Sequence, residues 1–71
     1  MNPENQEIKR AVDIFIAKMS TREWSYEARQ AAMDVFEPSI EDAFEGLGFE
    51  NATHMAARAA MIAKARLNML N

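Results

Sequence analysis

The sequence predicts an all-α fold: one domain over residues 1–71, a compact bundle of four short helices at about 3–19, 22–37, 40–47 and 52–70. Three observations lead there. Apolar residues recur with the helical spacing i, i+3, i+4, i+7, and no segment alternates with the period of two that a strand requires. Helix-start signatures stand at regular intervals, Asn2-Pro3, Ser20-Thr21-Arg22-Glu23 and Ser39-Ile40-Glu41-Asp42. Finally, from Asn51 to Leu70 there is no Gly or Pro and, apart from Thr53 and Ile62, no β-branched residue.

Taken in order, Asn2 caps the first helix, Pro3 occupies its first turn, and Glu4 and Glu7 suit the positive end of the helix dipole. Ile8, Ala11, Val12, Phe15 and Met19 share one face, and Ile16 widens it. Ile14 points well away, so the breadth of the apolar arc predicts a central helix, or a second partner at Ile14. Ser20 to Glu23 reads as a capping box for the second helix, with Ser25 as a competing cap. Trp24, Ala28, Ala31, Ala32 and Val35 then form one face with Phe36 at its edge. Pro38 predicts the end of that helix near Glu37.

In the third helix Ile40, Ala43, Phe44 and Leu47 form the buried side and the outer side is acidic. Gly46 or Gly48 ends it in a left-handed conformation, with Phe49 folding back on the core. The last helix starts at an Asn51 cap and gathers Ala52, Met55, Ala56, Ala59, Ile62, Ala63, Leu67 and Leu70 on one face. The rest of the chain is expected to organise around it. Arg66 falls inside this arc and is expected to lay its stem along the core and carry its charge to water or a carboxylate.

The core these helices share must be thin. Among the apolar residues 13 are Ala and 6 Met, against 14 of Leu, Ile, Val and Phe together, and a chain of 71 residues buries only about 60% of its unfolded surface. Low stability or a partner follows. With no cysteine there is no disulfide, thiol nucleophile or thiolate metal ligand, a composition that suits a reducing compartment. An amino-terminal region with acids before any base and no long apolar run predicts a cytoplasmic protein without a membrane segment.

Catalysis finds little support. His54 is the only histidine, so no histidine pair can hold a metal, and its nearest partner is Glu50, four residues earlier. Glu37, Glu41 and Glu45 repeat every four residues but suggest at most weak, oxygen-only cation binding. No glycine-rich phosphate loop and no nucleophile with an orienting base is present. The sequence therefore predicts a non-catalytic protein, with no cofactor.

Charge is the more informative feature. The net charge is −3, yet residues 38–50 carry four acids and no base while residues 51–71 carry three bases and no acid. An acidic helical face at Glu41, Asp42 and Glu45 can steer toward a basic surface on a partner protein. Tyr26 and Met33, with Arg29 and Gln30, have the composition of an interface hot spot. Ala57, Met61 and Ala65 form a narrow stripe that would let another helix approach closely, which predicts a homodimer. The basic last helix of one copy meeting the acidic third helix of another is a second route to it.

The sequence reading is thus a small regulator or inhibitor that binds protein and self-associates. The alternative is a helix-turn-helix nucleic-acid binder formed by residues 39–47 and 52–70, using His54, Arg58 and Lys64. Glu41, Asp42 and Glu45, which phosphates would repel, weigh against it.

Overall fold

The computed structural model describes the backbone of residues 2–69 and the side chains of residues 2–68. Leu70, expected on the core face, lies outside the described residues. Among the described residues the chain is all-α with three helices rather than four: α1 Pro3–Met19, α2 Tyr26–Gly46 and α3 Ala52–Met69. α1 and α2 each pack along α3. They meet one another at Phe15 and Phe36, whose rings stack 4.2 Å apart. The last helix is thus the central element, and α1 is not.

α1 starts as its sequence dictates, with the Asn2 side chain accepting from the Glu4 N–H at 2.8 Å. Its buried line is Ile8, Val12, Ile16 and Met19. Ile14 is 61% exposed. The expected capping box at Ser20 does not form. The Ser20 hydroxyl instead donates back to the Ile16 carbonyl, and Thr21 does the same to Lys18, so both residues close α1 rather than open α2. Ser25 is the cap, accepting from the Ala28 N–H at 3.1 Å.

The expected break at Pro38 is the main correction. α2 runs through it for 21 residues. Met33, Phe36, Ile40 and Phe44 explain why: they stand at i, i+3, i+7 and i+11, one apolar stripe in a single helical phase on both sides of the proline, and all pack into the core. Pro38 has no N–H for the Asp34 carbonyl. Residues 34 and 38 are both exposed, so the missing bond lies on the solvent side of the helix and not in the core. Helices two and three of the sequence reading are therefore one. The face assigned to helix two is also rotated, with Phe36 buried and Val35 62% exposed. Leu47, expected in the core, is exposed as well.

Of the two glycines expected to end the third helix, Gly48 is the one that stops α2. Gly48 has φ +90°, its N–H donates to Glu45, and the Phe49 N–H donates to Phe44 at 3.1 Å, which is a Schellman termination. Phe49 folds back edge-on to Phe44, with ring centroids 6.2 Å apart. In α3 the residues Ala52, Met55, Ala56, Ala59, Ala63 and Leu67 are buried. Four alanines on this face keep the flanking helices close to the α3 backbone, since they add almost no side-chain thickness. Ile62, expected with them, is 41% exposed, since it lines the open groove between α1 and α3.

The chain exposes 4972 Å², about a tenth more than the roughly 4,500 Å² of a typical monomer of its mass. Two helices leaning on a third leave more outer surface than a closed bundle.

Candidate interaction surface

Three surfaces are built on this frame. The first is the outer side of α2. Glu27, Ala31, Asp34, Val35, Pro38, Asp42 and Glu45 are all exposed and fall on the half of the helix opposite the Met33 to Phe44 stripe. Acids alternate there with small apolar side chains, and no lysine or arginine interrupts them. Of the predicted acidic triplet, Asp42 and Glu45 belong to this ridge. Glu41 does not: it is half-buried at the α3 side and accepts a hydrogen bond from the Thr53 hydroxyl at 3.0 Å. Glu37, Glu41 and Glu45 do not converge, and among the described residues no group of three or more His, Cys, Asp or Glu is placed to hold a metal ion.

The second is the groove between α1 and α3, about 200 Å³, with Ile8, Val12 and Ile62 in its walls and Lys9, Arg58 and Arg66 around it. Arg66 behaves as its position in the apolar arc requires. Its stem runs along the groove and its guanidinium donates to Asp13 at 2.7 Å. Lys9 donates to the same carboxylate at 2.6 Å. The Lys9 and Arg66 hydrogen bonds hold the Asp13 carboxyl below the usual range for an aspartate. Arg58 donates to the neutral Asn5 side chain at 3.3 Å. Lys9 and Arg66 thus share one carboxylate, while Arg58 bonds a neutral amide. Sequence reading found Arg66 and Arg58 separately and missed the groove, because Lys9 and Asp13 join them only through packing.

The third is the outward face of α3, where Met61 is 74% exposed and Ala65 is exposed beside it, with Ala57 half-buried. Arg58 and Lys64 flank this face on opposite sides, since Arg58 lines the α1 groove and Lys64 lines a cleft of about 80 Å³ toward α2. That cleft also holds Tyr26 and Met33, but Met33, expected on the side away from the core face, packs against the core and only Tyr26 is well exposed. His54 is exposed and makes no ion pair with Glu50. The proposed helix-turn-helix has no separate first helix, since residues 39–46 are the end of α2.

One further feature escaped the sequence reading. In the α1–α2 turn the Arg22 guanidinium lies 3.9 Å from the centre of the Trp24 ring, a cation–π contact, over an open cavity that also borders Arg29 and Leu67.

Comparison with family models, with curated proteins and with solved structures found no match for this chain. No described helix is long and apolar enough to cross a membrane.

Proposed function

We propose that this chain is a non-catalytic protein-interaction module, a small regulator or inhibitor that self-associates and engages a basic surface on another protein. It works in the cytoplasm, a compartment that suits a chain without cysteine. The observation that carries this reading is the segregation of charge onto separate faces of α2 and α3. The α2 ridge presents Glu27, Asp34, Asp42 and Glu45 around Val35, while the α3 side presents Arg58, Lys64 and Arg66. Charges divided in this way steer and orient encounters with a complementary surface.

Capture from native lysate, run with and without nuclease, tests it. Wild-type chain retains a defined basic protein, and the Asp42→Lys, Glu45→Lys variant loses it; high salt weakens the retention. Retention that survives the reversal removes the acidic ridge from the function. Loss of all binding on nuclease treatment transfers the function to nucleic acid and to His54, Arg58 and Lys64.

A further inference from the structure

We propose that the groove between α1 and α3 is a docking site for a second copy of this chain, filled by the ridge Asp34–Pro38–Asp42 of that copy's α2. The inference rests on the interaction reading above and names its self-association contact. Arg58, Ile62 and Arg66 stand at i, i+4 and i+8 on α3, and Asp34, Pro38 and Asp42 stand at the same spacing on α2. Both triplets span about 12 Å, and all six residues are exposed. Laid together, they oppose arginine to aspartate at both ends and set the Pro38 ring against Ile62 in the middle. Because each triplet is symmetric in charge, parallel and antiparallel alignments both satisfy it.

Two further observations favour this occupant. Lys9 and Arg66 share the Asp13 carboxylate and Arg58 bonds the neutral Asn5, so the groove carries a positive surplus that an acidic occupant complements. On the opposite surface, Pro38 leaves the Asp34 carbonyl without a donor at position 38, beside the Asp34 carboxylate. An arginine, with its fork of donors, can reach both oxygens. Self-pairing through Met61 lacks this complementarity. An antiparallel two-fold centred on Met61 sets Arg58 across from Lys64 of the second copy, and α3 has no acid to offset them.

Sedimentation equilibrium across a wide concentration range tests the proposal. Wild-type chain shows a mass that rises above the monomer with concentration and falls back in high salt. Arg58→Glu and Asp34→Lys, Asp42→Lys each weaken association at least about tenfold, with helical circular dichroism unchanged, since these side chains lie outside the core. Mixing the two variants restores association, because each supplies the surface that complements the other. Wild-type chain that stays monomeric throughout, or variants that fail to pair when mixed, overturns the proposal. Arg58-dependent binding of a labelled DNA duplex by a monomeric chain overturns it too and gives the groove to nucleic acid. A monomeric chain that still retains a basic protein through Asp42 and Glu45 sinks this inference and leaves the proposed function standing. A chain that self-associates but retains no basic protein keeps the inference and confines the function to self-assembly.

Discussion

α1 closes on α3 with aliphatic side chains and a seam of polar bonds, whereas α2 closes on it with aromatic side chains and a backbone that ignores its own proline. Along the first seam Asn51 donates to Glu4, Arg58 to Asn5 and Arg66 to Asp13. These exposed bonds hold register more than they hold stability. Along the second, Phe36, Ile40 and Phe44 sink toward the alanine face of α3. Burying such side chains is worth about 1.5–3 kcal/mol each, and a proline inside a helix costs about 3 kcal/mol. Continuing the stripe beyond Pro38 buries Ile40 and Phe44 in phase with Met33 and Phe36, so packing outweighs the local break.

Truncating the aromatic seam should have the largest effect. Phe44→Ala is expected to cost about 3–5 kcal/mol, since it empties a buried site and removes the Phe49 contact, and urea denaturation should show the chain largely unfolded in buffer. A loss below 1 kcal/mol would mean that α2 is not held by its aromatic stripe. Next comes the proline itself. Pro38→Ala restores a helical donor on the solvent side and should stabilise by about 2 kcal/mol, the helix gain less the added freedom of the unfolded chain. Thermal melting would reveal it, and a lowered midpoint would show that α2 needs the geometry the proline imposes.

The two glycines sharpen the contrast at the end of α2. Neither has an atom within 4 Å of an added Cβ, so only backbone conformation distinguishes them. Gly48→Ala should destabilise by about 1–2 kcal/mol because its φ is left-handed, while Gly46→Ala, within the helix, should stabilise by about 0.4–1 kcal/mol. Equal effects in calorimetry would remove the Schellman termination as the stop signal.

The smallest effect belongs to the polar seam. Asp13 has its pKa lowered in the folded state by Lys9 and Arg66. Its contribution is therefore present above the ordinary aspartate value and is lost as pH falls through the lowered one. Asp13→Asn should lower stability slightly at neutral pH, flatten the acid limb of a stability–pH profile below about pH 4 and converge with wild type in acid. An unaltered acid limb would show that the seam adds no measurable stability.

How far the sequence can be read follows from these same residues. Asn2, Ser25 and Gly48 act through bonds to residues within a few positions, so Asn2 was legible as a cap and Ser25 and Gly48 as one of two candidates each, as was the alanine face of α3. Arg66 was legible too, because a cation inside an apolar arc has few places to put its charge. Ser20 was misread: its hydroxyl serves either end of a helix, and the choice depends on whether the chain continues or turns. The groove of Lys9, Asp13, Arg58 and Arg66 was not legible, since its two halves are more than forty residues apart in the chain.

By itself, then, the sequence determined an all-α chain, the start of α1, a glycine stop at Gly46 or Gly48, the composition of α3 and the separation of acidic from basic segments, since all of these are local in the chain. Tertiary structure decided that Pro38 lies within one helix, that α3 rather than α1 is central, and which charges share a surface. Each of those choices is settled by apolar area buried between distant segments, and that area exists only once the helices pack.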